Sequence, residues 1–347
     1  MLKPSYELSV GSLTSNTASP VAGPRSFMVA RDMDVPVDVL EIHLMERAKI
    51  ATGDSVTLDL GHDEENERAF IGTVAQIVRT IEGVRVIALG KMNELVTCYT
   101  SGTYETRTFG NIVDDLISQA GLDSGTIDDG PEVTVFAVDR RRSAFTHVKK
   151  MANRLGFELY TDRNGNVMFH ALGGAADLDN GGLLGAAASA VGNLIGLGSE
   201  GYHFGQNVLS AKILNRQQAW QSVTIGGESP MSWQGDSTAH FLTINDQDNK
   251  GEAGSGNPQR LIRDAAARTK DLADRFATGH LYVNQRTVKQ VVFRVLGHPQ
   301  VDLGDSLSLS GMQDELLNGS GYVRAITHHF DTHGGFVTDF RISIQIE

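Results

Sequence analysis

Ser306 sits in the run Gly304-Asp305-Ser306-Leu307, and a serine behind a tight Gly-Asp turn is a candidate nucleophile. A hydroxyl acts that way only with help. It needs a histidine base, a carboxylate to orient that base, and donors for the developing oxyanion. The phrase also occurs near the other end of the chain, as Gly53-Asp54-Ser55. After each serine the sequence alternates. Val56, Leu58 and Leu60 share one face and Thr57 and Asp59 the other; Leu307 and Leu309 oppose Ser308 and Ser310. That period of two describes a half-buried strand leaving a turn. A second echo follows, because Gly72 and Gly321 open the phrases GTVAQI and GYVRAI. Ser306 therefore has two readings, a nucleophile or a turn residue used twice.

The nucleophile reading resembles the GDSL-type serine hydrolases. In that family the block lies near the N-terminus and opens into a helix, with an Asp-x-x-His pair far downstream. Here the block lies near the C-terminal end and a strand pattern follows it. The Asp-x-x-His pair, Asp59 and His62, trails the first copy instead. The repeated phrase favours the turn, with Asp54, Ser55, Asp305 and Ser306 as turn residues. No catalytic, cofactor-binding or metal-ligating residue is assigned from the sequence.

Other residue clusters carry less. His328, His329 and His333 fall in THHFDTHGG, but neighbours on a strand point to opposite faces, whereas a metal needs convergent ligands. Asp63-Glu64-Glu65 and Asp246–Asp248 are acidic runs suited to solvated loops. The second begins like a calcium loop, but its closing glutamate, Glu252, comes too soon. Arg140-Arg141-Arg142 precedes a helix and suits a solvated turn or an ion pair. No glycine loop of the phosphate-binding or dinucleotide type is present.

The elements that would position these residues are mostly strands. Tyr6–Val10, Val37–Met45, Ser55–Leu60, Ala69–Thr80 and Val84–Leu89 make residues 1–103 a first β domain, a small barrel or a sandwich. Residues 104–171 form an α+β module. One helix covers Asn111–Ala120. Ser143 caps a second, whose stripe is Phe145, Val148, Met151, Ala152 and Leu155. A hairpin turns around Asn164-Gly165. Residues 172–205 are a Gly/Ala-rich insertion. Residues 206–226 and 281–347 make a second β domain, interrupted at 227–280 by a polar loop and a helix. That helix is expected to open at Asn257-Pro258, bury Leu261, Ala265, Leu272 and Phe276, and end before Gly279. The fold class is mainly β with α+β insertions.

Composition narrows the function classes. A chain of 347 residues can hold two or three domains. Its net charge of −12 opposes a role in neutralising nucleic-acid phosphates. The single cysteine, Cys98, forbids an intrachain disulfide and suits a reducing compartment. Residues 180–199 carry no charge and have bilayer length, but glycines dilute their hydrophobicity and no aromatic or basic anchors flank them. No stable membrane span is expected.

The order of phrases is the distinctive signal. Gly297, Pro299, Gly304, Asp305, Tyr322, Val323, His329 and the phrase Phe336-Val337-Thr338 resemble the last domain of phage baseplate hub proteins, the late control D family. SAFTHVKKMANRLG, FELYTDRNGNVMF and FIGTVAQI resemble its earlier parts. The resemblance implies two tail-tube-like β-barrel domains per chain and a homotrimer that forms a pseudo-sixfold ring. Such a hub joins a hexameric tail-tube protein to a trimeric central spike protein, contacts other baseplate proteins, and passes DNA or an effector without binding it specifically. It implies assembly in a host cytoplasm, location in a virion tail baseplate or injection particle, no cofactor and no enzymatic activity. The hub part of VgrG-like proteins in type VI secretion is a related case. There the chain continues into a spike, which here is expected to be a separate protein.

Overall fold

The structure, a computed structural model, describes residues 3–46, 48–172, 200–227, 250–332 and 334–344. The insertion expected at 172–205 and the acidic run Asp246–Asp248 lie largely or wholly outside them, as does His333.

The first unit contains β1 (Pro4–Val10), β2 (Leu13–Asn16), β3 (Pro24–Asp32), β4 (Val39–Leu44), β5 (Ser55–His62), β6 (Glu65–Arg79) and β7 (Val84–Gly90). Hydrogen bonding orders them β3-β4-β7-β6-β5-β1-β2. Alternation places Val56, Leu58 and Leu60 in the core with no exposed surface. Burying each such side chain stabilises the fold by roughly 1.5–3 kcal/mol. β2 and β3 are additions to the strands expected from the sequence. In β3 the alternating buried row ends on a charge, Arg31, which hides its period.

A helical module follows. It holds α1 (Met92–Thr97), β8 (Gly102–Thr108), α2 (Phe109–Gln119), β9 (Ser124–Ile127), β10 (Glu132–Val138), α3 (Ala144–Leu155), β11 (Glu158–Thr161) and β12 (Val167–His170). The Thr108 and Ser143 hydroxyls accept the Asn111 and Thr146 amides and so cap α2 and α3. The hairpin between β11 and β12 turns over five residues rather than two. The Asp162 carboxylate accepts the amides of Asn164 and Asn166 and holds it closed.

Beyond it come β13 (Glu200–His203), β14 (Val208–Asn215), β15 (Ser222–Gly227), β16 (Gly251–Gly254), β17 (Gln259–Asp264), α4 (Lys270–Gln285), β18 (Lys289–Leu296), β19 (Ser306–Ser310), β20 (Gly319–Asp331) and β21 (Gly335–Ile344). Two sequence expectations shift here. Residues 222–226 were placed in the second β domain, but β15 pairs with β16 and β17, and its Val223 and Ile225 enter the core of the helical module. The helix also starts later. Residues after Pro258 form β17 because they pair in parallel with β15, and Leu261 is exposed. The Thr269 hydroxyl provides the cap, accepting from the Leu272 amide. Gly279 lies inside α4 rather than beyond it. A Cβ there would stand 2.1 Å from the Arg154 carbonyl oxygen, so glycine lets α4 cross the end of α3.

The second unit, ordered β14-β18-β21-β20, repeats the order β3-β4-β7-β6 of the first. The irregularities repeat too. β14 shifts register against β18 between Val208 and Ser210, as β3 does against β4 between Pro24 and Ser26. β20 shifts against β21 between Val323 and Ala325, as β6 does against β7 between Val74 and Gln76. Ser306 faces Tyr322 as Ser55 faces Thr73. Bulges pin register, so matching bulges mark equivalent strands. The two units are joined by a ladder. β20 pairs antiparallel with β3 from Ala325–Asp32 to Asp331–Ser26, making one continuous 13-stranded sheet.

Candidate functional site

The two Gly-Asp-Ser turns are the same object built twice. In the first, the Gly53 amide donates to the Val74 carbonyl at 2.8 Å and the Val74 amide returns to the Asp54 carbonyl at 2.8 Å. In the second, Gly304 donates to Val323 at 2.9 Å and Val323 to Asp305 at 2.8 Å. Each aspartate carboxylate also accepts an amide three residues back: Ala51 to Asp54 at 2.8 Å, Asp302 to Asp305 at 2.7 Å. Both glycines have positive φ, +92° and +89°, a conformation that favours glycine. Ser306 opens β19, with no histidine hydrogen-bonded to it among the described residues, and no helix follows. Asp59 is paired with Arg68, and His62 stacks on Phe336 at 5.5 Å.

The histidines of THHFDTHGG part as the strand period requires. His328 is buried and its Nδ1 lies 2.9 Å from Thr338 Oγ1. Burial, with Arg31 nearby, pushes its pKa down to about 3, so the ring is neutral in ordinary buffers. His329 points outward, 3.4 Å from Asp339. Asp63 and Glu64 form the exposed turn between β5 and β6, both with positive φ. In the basic run, exposed Arg141 pairs with Asp139.

The sites that the sequence did not mark are buried ion clusters where the three modules meet. Arg324 and Glu158 are each 0% exposed and bonded at 2.6 Å between Nη1 and Oε1. The same Glu158 oxygen is 2.9 Å from Arg286 at the end of α4. The other arm of Arg324 reaches Asp34, just past β3, at 2.5 Å. Arg341 on β21 adds bonds to Asp32 and Asp34. One cluster thus ties both β units to the helical module.

A second cluster lies along the β20–β3 ladder. Arg31 donates to Asp302 at 2.7 Å, to the Thr161 carbonyl at 2.7 Å, and more weakly to Asp38 at 3.4 Å. Arg163 donates its amide to Asp302 at 2.8 Å. Burial would raise the Asp302 carboxyl, but the Arg31 guanidinium, the amides of Arg163 and Leu303 and the Arg163 charge outweigh it and hold the pKa below the usual range. Within the module, Arg154 clamps Asp264 bidentately at 2.6 and 2.7 Å, with Phe136 and Phe276 against its guanidinium. Buried pairs of this kind contribute little net stability, but removing one partner is costly. Their chemistry is alignment of modules.

Comparison with solved structures identifies the architecture. A tail protein from Neisseria meningitidis MC58 aligns over 98% of this chain and 96% of its own with a TM-score of 0.71, at 10% identity. The chain has the fold of phage tail proteins. The 43 kDa tail protein of prophage MuSo2 from Shewanella oneidensis aligns over 98% of both chains, with a TM-score of 0.69 and 16% identity. The E. coli c3393 protein, a type VI secretion component, aligns over 98% of this chain and 77% of its own, at 0.55 and 11%. No family model and no curated protein matches the sequence.

Proposed function

We propose that this protein is a structural baseplate hub, which joins a sixfold tail tube to a threefold spike and forms part of the conduit between them. The observation that carries the reading is the β20–β3 ladder, which fuses two equivalent β units into one sheet inside a single chain. A subunit carrying two equivalent positions lets three copies offer six, the arithmetic a tube-to-spike adapter requires. The buried clusters at Glu158 and Arg31 suit it, because the angle between fused units must be fixed for a ring to close. Homotrimer formation, contact with tube, spike and other baseplate proteins, location in a tail baseplate or related injection particle, and assembly in a host cytoplasm belong to this reading. The function is assembly rather than catalysis.

The test is electron microscopy of the purified full-length chain, alone and mixed with a cognate tail-tube protein. Threefold rings with six peripheral densities are expected. A chain that stays monomeric under both conditions refutes the hub. The hydrolase alternative is met by Ser306→Ala, assayed on an ester substrate beside ring assembly. An esterase activity that Ser306→Ala abolishes, in a chain that forms no ring, would replace the hub reading by that one.

A further inference from the structure

The internal repeat specifies more than a ring. It specifies which edges meet between copies, and in which register. Resting on the hub reading, we infer that the outer edge of β14 in one copy pairs antiparallel with residues Gln76–Arg79 of β6 in a second copy of this chain.

The strand equivalences carry the argument. β14 stands to the second unit as β3 stands to the first, with the same bulge at its start. β6 stands to the first unit as β20 stands to the second, again with the same bulge. β20 is shared between two partners on one side: residues 319–322 pair with β19 and residues 325–331 with β3. β6 is half shared. Its pairing with β5 ends at Ser55–Thr73, and among the described residues no strand pairs with that side of Gln76–Arg79. Among the described residues β14 pairs as a strand only with β18, apart from a single bridge between Val208 and Phe204 at its start. Each unit therefore presents one half of the junction that the chain completes once internally. Unpaired edges of this kind are templates for strand addition.

Transferring the internal register fixes the external one. Thr327 faces Ala30 and Ile326 faces Arg31 inside the chain. The matching positions set Val78 opposite Leu214, and Ile77 opposite Asn215, of the neighbouring copy. Arg79 then faces Ile213. Ile77, Val78, Ile213 and Leu214 are all half-exposed, and Ile81 at the adjoining hairpin tip is fully exposed. These apolar groups would leave water together on pairing. The other open edges of this sheet among the described residues, β2 and β13, lie outside the repeated orders β3-β4-β7-β6 and β14-β18-β21-β20, so the repeat gives them no partner.

The test is disulfide trapping in the full chain with Cys98→Ser. Cysteines at Val78 and Leu214 are expected to give intermolecular disulfides under mild oxidation. They should produce covalent dimers and closed trimers on denaturing gels, while each single variant stays monomeric there. A pair slipped by two residues, Val78→Cys with Lys212→Cys, should stay reduced, because diagonal positions exceed disulfide reach. Native mass measurement is made on the same samples. Trapping at the slipped pair, or oligomers in which neither pair traps, overturns this interface and leaves the ring standing. Absence of any oligomer overturns both.

Discussion

Glu158→Ala should cost more than any surface change in this protein. The carboxylate is fully buried and one of its oxygens serves two guanidinium groups, Arg324 at 2.6 Å and Arg286 at 2.9 Å. After its removal Arg324 keeps Asp34, a half-buried partner. Arg286 keeps a 3.4 Å bond to the Phe157 carbonyl and only the more distant attraction of Asp34, so its buried charge loses its bonded counterion. Breaking a buried pair from one side costs roughly 3–5 kcal/mol. For a chain this long, whose unfolding entropy scales with length, that lowers Tm by about 4–7 °C. Urea denaturation followed by far-ultraviolet circular dichroism measures the loss. Added salt should change it little, because the pair is shielded from solvent ions. Glu158→Ala combined with Arg286→Met removes the orphaned charge, and should recover a large part of the loss. A loss below about 1 kcal/mol, the range of exposed ion pairs, would refute the reasoning. So would a double variant as unstable as the sum of its singles.

The two turns differ in tolerance. Gly53→Ala meets nothing within 4 Å and should cost only the strain of its positive φ, about 1–2 kcal/mol. Gly304→Ala adds a Cβ 2.6 Å from the Tyr160 hydroxyl, for roughly 1–3 kcal/mol more; equal losses in the same urea assay would contradict this. Stability should also depend on His328. Its pKa in the folded protein, about 3, lies below the unfolded value near 6.5. Between these two the unfolded chain binds the extra proton, so stability is full above pH 6.5 and falls by about 1.4 kcal/mol per unit as pH drops toward 3. His328→Gln should flatten that slope over pH 4–6; an unchanged slope would assign it to other groups.

The strand units were legible because period-two alternation is a one-dimensional signal. Val56, Leu58 and Leu60 announce both a strand and its buried face, and the twin Gly-Asp-Ser turns announce the repeat. Helices were legible through their punctuation, Ser143 before α3 and Gly156 after it. The misplacement of α4 had a physical source. Apolar residues from Leu261 to Phe276 fit a helical spacing, but pairing of Gln259–Asp264 with β15 claims the first part, a contact set by residues far away in sequence. The clusters around Arg31, Glu158 and Arg324 were invisible for a related reason. A single charge inside a strand pattern reads as a solvent-facing position. Its burial depends on a counterion more than a hundred residues distant, as between Arg324 and Glu158. The one available hint was Arg324 in the apolar phrase GYVRAI, where the equivalent residue in the first copy is Ala75.

The ladder between β20 and β3 also orders events in time. The core of the N-terminal unit includes two residues from far along the chain, Phe330, which packs against Phe27 and Tyr6, and Phe336, which packs against Phe330 and His62. The N-terminal unit therefore cannot finish its own interior during synthesis until residues 330–336 have emerged. Contacts this far apart in sequence close slowly, because a long loop must be ordered before they return anything. In that interval the inner edge of β3 and an incomplete apolar core are open to other chains. A truncation at the C-terminal end would leave the beginning of the protein, not its end, exposed to misassembly.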